Sequence, residues 1–138
     1  MHLSLFTDLG LRVLMRLAGS PDEPFSARSL ATELQVSHHH LTKVVTALST
    51  GGYLKTRRGQ YGGINLAVDP AMIRLGEVVR ALEASTPLVD CFRPDGGSCT
   101  LKPGCLLKGR LLKARESFLE ELNASTLEDI AYTGAAKR

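Results

Sequence analysis

The stretch SARSLATELQVSHHHLTKVVTALSTGGYLKTRRGQYGGINLA, from Ser26 to Ala67, contains two changes of rhythm. Ser26 has the chemistry of a helix cap, and Phe25 and Leu30 on either side of it have the spacing of a hydrophobic staple. Ala27, Leu30, Ala31 and Leu34 then recur at helical spacing and predict one buried stripe. Only Gln35-Val36 separates this run from the next, which Ser37 can cap and whose apolar face is Leu41, Val44, Val45 and Leu48. Gly51-Gly52 ends it. Two short helices joined this tightly, each with a single apolar stripe, read as a helix-turn-helix. From Tyr53 the period drops to two: Leu54 and Thr56 alternate, Ile64 and Leu66 do so on the return, and a Gly-rich tip lies between. The expected class is mostly α with a small β-hairpin wing, a winged helix-turn-helix domain.

Outward from that centre, Thr7 can cap a first helix, with Asp8 facing the positive end of its dipole. Leu11, Leu14, Met15 and Ala18 give its stripe, and Gly19-Ser20-Pro21 stops it. Beyond Pro70, Leu75, Val78, Val79 and Leu82 predict a fourth helix. Ser85-Thr86-Pro87 opens an irregular stretch rich in Pro and Gly, and helical periodicity returns from Cys105 to Leu122. There Leu107, Leu111, Ala114 and Phe118 follow the spacing of a coiled-coil-like seam, widened by Leu112, Leu119 and Leu122. This long helix is expected to pair with its copy in a homodimer. Ser125 and Glu128 resemble a capping box for a short last helix, and the tail is expected to fray. The expected organisation is a winged helix-turn-helix over 1–84, a Cys-rich loop over 85–104, a dimerisation helix over 105–124, and a short helix and tail over 125–138.

Charge gives a first indication of function. The net charge of the 138 residues is only +3, yet no acid occurs from Leu34 to Val68, where Lys43, Lys55, Arg57, Arg58 and three histidines fall. A one-signed region in a nearly balanced chain suits a polyanion. With the apolar face of the third helix buried, Ser37, His38, His39, His40, Thr42, Lys43 and Thr46 become candidates for double-stranded operator DNA. His38 to His40 would point toward base edges and Lys43 toward phosphate. Arg57, Arg58 and Tyr61 at the hairpin tip suit a wing reaching the backbone or minor groove. Any one of these features alone is usually a solvated face; the tight turn, the acid-free window and the basic hairpin coincide. The His38-His39-His40 triplet is a poor metal site, because adjacent helical residues point about 100° apart. No nucleophile–base pair, paired carboxylates or phosphate-cradling loop has workable spacing, so no enzyme is expected. No apolar run is long enough for a membrane span, and no secretory signal is visible, so a reducing cytoplasm is the expected location.

All three cysteines, Cys91, Cys99 and Cys105, fall in DCFRPDGGSCTLKPGC, from Asp90 to Cys105. An odd count in a reducing compartment argues against a disulfide framework. Three explanations compete. Structural zinc normally shows C-x-x-C knuckles, absent here. A thiol switch needs only two cysteines with basic neighbours, which Arg93, Lys102 and Lys108 supply. An iron–sulfur cluster needs thiolates wrapped in from a pliable loop, which Pro94, Gly96, Gly97, Pro103 and Gly104 allow.

LSLFTDLGLRVLMRLA, LSTGGYLKTRRGQYGGINLA and the three-cysteine loop before a long helix together resemble the Rrf-two family of winged-helix regulators, in one colinear order from Leu3 to about Ile130. FTDLGLR and the cysteine spacing resemble its nitric-oxide-sensing repressors in particular. The resemblance implies a homodimeric repressor with a 4Fe–4S cluster (2Fe–2S being the alternative) that releases DNA on reaction with nitric oxide. It also implies a fourth ligand, an aspartate early in the first helix that reaches across from the other subunit; the matching residue is Asp8, with His2 as runner-up. Without the resemblance, Asp8 reads as a dipole-facing residue. Relatives that sense cluster supply carry a histidine three residues after the third cysteine, where this chain has Lys108.

Overall fold

The computed structural model describes residues 1–60 and 62–134. It contains α1 (Leu5–Gly19), α2 (Ala27–Glu33), α3 (His38–Thr50), an antiparallel hairpin of β1 (Leu54–Arg57) and β2 (Gly63–Leu66), α4 (Leu75–Leu82) and α5 (Leu106–Asn123), with 3₁₀ turns at Pro70–Met72, Asp90–Phe92 and Glu128–Ile130.

The central stretch folds as its pattern predicts. The Ser26 hydroxyl accepts the Ser29 N–H at 3.0 Å while the Ser29 hydroxyl accepts the Ser26 N–H at 2.9 Å, a reciprocal cap in which serine replaces the usual Glu or Gln. Phe25 and Leu30 are both buried, as the staple requires. The two-residue turn closes because Gln35 adopts φ 55°, which directs the Val36 N–H back to the Ala31 carbonyl at 3.0 Å. Leu41, Val44, Val45 and Leu48 are buried on α3. In the hairpin Leu54 pairs with Leu66 and Thr56 with Ile64, and a bridge from Phe25 to Ile64 ties the wing to the start of α2.

Three expectations are corrected. The cap of α1 is Ser4, not Thr7: the Ser4 hydroxyl accepts the Thr7 N–H at 3.2 Å, and Thr7 lies fully buried inside the first turn. The buried face of α1 is Leu9, Val13, Leu14 and Leu17, while Leu11, Met15 and Ala18 pack only at its margin. This helix is covered from more than one side, by α3, α4 and β2, so a single stripe misplaces its centre. Third, Ser125 and Glu128 form no capping box; the Asp129 carboxylate accepts the Thr126 N–H at 2.7 Å instead. The short last turn is nonetheless there and stays packed on the body. Leu127 is fully buried, its N–H bonds the Ile73 carbonyl at 2.9 Å, and the Tyr132 N–H bonds the Met15 carbonyl at 2.9 Å. Residues 135–138 lie outside the described residues.

Arg16 braces the head from inside. Its guanidinium pairs with Glu33 of α2, with Glu23 at 3.1 Å and with the Ser20 hydroxyl at 2.7 Å, and it sits 4.8 Å from the centroid of the Phe25 ring. A nearly buried cation is tolerable only with partners of this kind. At the other end, α4 and α5 cross closely at Gly76, Asn123 accepts the Glu77 N–H at 3.0 Å, and Arg80 forks onto Glu116 at 3.1 and 2.6 Å.

Candidate nucleic-acid interface and cysteine-rich loop

The candidate reading face is built on α3. Ser37 caps it by accepting the His40 N–H at 3.0 Å. His38, His39, Thr42, Lys43 and Thr46 are exposed on the side away from the core. The Thr42 and Thr46 hydroxyls donate to the carbonyls of His38 and Thr42, each at 2.8 Å. Their protons are therefore committed to the helix, and what faces outward is an acceptor lone pair and a methyl. Such a surface complements a base amino group or a thymine methyl. His40 differs from its neighbours: it is half-buried, with its ring centroid 6.5 Å from that of Phe6. Arg57 and Arg58 are exposed on the wing, whereas Tyr61 lies outside the described residues. Arg28, exposed in the first turn of α2, is a cation that the sequence reading did not single out, and Lys55 of the acid-free window is exposed on β1.

The cysteine-rich loop is held by side chains as much as by its backbone. The Asp90 carboxylate accepts the Ser98 N–H at 2.7 Å and hydroxyl at 3.3 Å. Asp95 accepts the Gly97 N–H at 2.9 Å, and the Lys102 ammonium donates to the Gly97 carbonyl at 2.7 Å. Gly97 has φ 63°, and a Cβ there would stand 2.3 Å from the Asp90 carboxylate, so glycine is required. The hydrogen bonds from Ser98, led by its backbone N–H, hold the Asp90 carboxyl below the usual carboxylate range. This clasp joins the residue before Cys91 to the residue before Cys99. Cys105 occupies the cap position of α5 and makes no side-chain cap hydrogen bond there. Arg115 of α5 lies 5.3 Å from the centroid of the Phe92 ring and seats the loop on that helix.

All three cysteines are unpaired and half-buried. Asp8 lies in the first turn of α1, half-exposed and paired with Arg12 at 2.7 Å, and His2 is exposed. Among the described residues, no three His, Cys, Asp or Glu side chains are grouped to hold a metal ion. A single chain thus clasps the loop around Cys91 and Cys99 without gathering the four predicted ligands. Sequence reasoning missed Asp90, which stood in plain view beside Cys91, and Glu83. Glu83 accepts the Ser4 N–H and hydroxyl, each at 2.8 Å, and so ties the start of α1 to the end of α4 where the loop begins. Burial alone would raise its carboxyl, but hydrogen bonds from Thr7 and Ser4 outweigh that and hold it below the usual range.

A tight helix-turn-helix, a basic wing and an acid-free reading face define a winged-helix DNA-binding regulator. The family model described as "Iron-dependent Transcriptional regulator" matches residues 3–133, and the chain belongs to that family, Rrf2. It is 41% identical to the HTH-type transcriptional regulator NsrR of Geobacillus kaustophilus, covering all of this chain and 95% of that protein. It is 39% identical to NsrR of Shouchella clausii, covering 94% and 88%. Among solved structures it resembles CymR, the global cysteine regulator of B. subtilis, with TM-score 0.74 and 29% identity over 98% of this chain and 99% of that one. IscR of T. potens gives TM-score 0.73 and 26% identity over 94% and 85%. The protein is a transcriptional regulator and not an enzyme. No described helix is long and apolar enough to cross a membrane.

Proposed function

We propose that this protein is a cytoplasmic, homodimeric repressor that carries an iron–sulfur cluster and releases its operator in response to nitric oxide. The observation that carries the reading is the loop itself: three unpaired thiols, two of them at the ends of one clasp and the third at the head of α5. That donor set suits an iron–sulfur cluster better than zinc, which favours paired knuckles. Cys91, Cys99 and Cys105 would hold the cluster, 4Fe–4S or 2Fe–2S, with Asp8 of a second copy as the oxygen ligand. When bound, the cluster supplies an iron whose carboxylate ligand exchanges more readily than thiolate and so leaves a point of attack for nitric oxide.

The chain's own residues convert that into a grip on DNA. Asp8, freed from Arg12, would anchor the first turn of α1; the Ser4–Glu83 tie passes the anchor to α4, and α1 packs on α3. Ser37, His38, His39, Thr42, Lys43 and Thr46 would face the major groove and Arg57, Arg58 and Tyr61 the backbone or minor groove. Leu107, the first residue of the expected seam, is 62% exposed on α5, and an uncovered large apolar side chain on that seam supports pairing with a second copy. Two recognition helices would then meet successive turns of a near-palindromic operator. Moving such a switch from nearly all competent to nearly all incompetent needs about 5.5 kcal/mol of differential stability, within reach of metal–ligand bonds.

A second reading, a cluster-free thiol regulator on the same frame, is supported by the same unpaired cysteines and by the likeness to CymR. Native mass and absorption spectra of anaerobically isolated protein separate the two. Iron and sulfide on a dimer favour the first; an iron-free dimer whose operator affinity follows disulfide state favours the second.

A further inference from the structure

The helices α1 and α3 meet along a seam of two contacts with matched spacing. Phe6 faces His40, ring centroids 6.5 Å apart and planes tilted by 32°. One turn further along both helices, Gly10 meets Val44, whose Cγ1 lies 3.7 Å from where a Cβ on Gly10 would stand. The second contact is locked: Gly10 and Val44 are both buried, and Leu82 of α4 closes the same spot, its Cδ1 2.6 Å from where a Cβ on Gly10 would stand. The first is looser: Phe6 and His40 are half-buried, and their separation is near the outer limit for aromatic pairs. A loose contact above a locked one makes a pivot.

Both partners sit at nodes. His40 ends the first turn of α3, and its N–H is the one Ser37 caps, so its pose fixes the turn that carries His38 and His39. Phe6 lies between Ser4, which is bound to Glu83, and Asp8, which is bound to Arg12. We infer that Phe6 against His40 is the contact through which the first turn of α1 sets the pose of the reading turn of α3, and that His40 is a positioning residue rather than a reader of bases. The inference deepens the proposed function and rests on it only for the signal that moves α1.

The experiment uses reconstituted full-length protein under anaerobic conditions, with Phe6→Leu, His40→Gln, the double variant and Phe6→Tyr. Operator affinity is measured before and after exposure to nitric oxide, with cluster absorption and thermal unfolding followed in parallel. The single variants should keep the cluster spectrum and melting temperature of the parent while losing operator affinity roughly tenfold, within what contacting residues show. The double variant should lose no more than either single one, because removing either ring removes the whole contact. Phe6→Tyr, which keeps the ring, should restore affinity. Losses that multiply in the double variant, or no loss in Phe6→Leu, overturn the inference; multiplied losses are what a base-reading His40 would give. If the parent protein ignores nitric oxide while the losses still fail to multiply, the pivot stands and the nitric-oxide reading falls.

Discussion

Gly76 and Gly109 make a pair in which one chemical change should act with opposite signs. Gly76 lies on α4 where it crosses α5, and a Cβ there would stand 2.1 Å from the Leu119 carbonyl oxygen and 2.6 Å from Asn123 Oδ1. An ordinary carbon–oxygen contact is about 3.3 Å, so Gly76→Ala must part the helices by roughly 1 Å. A helix carbonyl cannot rotate aside, which puts the strain near the top of the overpacking range, about 3 kcal/mol. Helix propensity returns about 1 kcal/mol. The net loss is about 2 kcal/mol, and at about 4 °C per kcal/mol for a chain of this size the melting temperature should fall by about 8 °C. Gly109, exposed at the end of the first turn of α5, has nothing within 4 Å of its added Cβ. There only propensity operates, and Gly109→Ala should raise the melting temperature by about 4 °C. Circular dichroism melts at one fixed protein concentration decide it. A rise for Gly76→Ala would show that the crossing is not the tight contact described.

Acid sensitivity should centre in part on Glu83. Its carboxyl is held low in the folded state, so its contribution is complete above the unfolded carboxylate range, near pH 4.3, and is lost as pH falls through the folded value. Glu83→Gln should therefore flatten the acid limb of the stability profile while leaving its slope near neutrality unchanged, as urea melts between pH 3 and 7 would show. Asp90→Asn should weaken the clasp, read as faster hydrogen exchange at the Ser98 amide; exchange at the parent rate would mean the clasp does not hold the loop. Arg58→Ala should lower operator affinity across sequences and reduce the slope of log affinity against log salt by about 1. An unchanged slope would remove Arg58 from the phosphate contacts.

The helix-turn-helix and wing were legible because each rests on a local signal: a serine cap, a stripe of period 3.6, a run of period two. The four apolar positions of α3 and the four of α4 that the spacing picked are all buried. Reading failed where two local choices were equally good or where the partner was distant. Ser4 and Thr7 can both cap, and only tertiary burial of Thr7 decides between them. The return of Leu127 to Ile73 spans the whole of α4, the loop and α5, and no periodicity announces it. On α5 the apolar spacing was clear, yet of those residues only Leu119 is buried, and a stripe read from spacing does not say which of its positions a neighbouring helix will cover. The thiols were found from composition alone. Asp90 was passed over because a clasp across eight residues of irregular loop has no rhythm to detect.

The most direct measurement is a titration of anaerobically reconstituted protein with nitric oxide, following cluster absorbance and operator affinity in the same samples. Loss of the two in proportion is the predicted result. Bleaching of the absorbance while the operator stays bound at full affinity would contradict the coupling of loop to reading head.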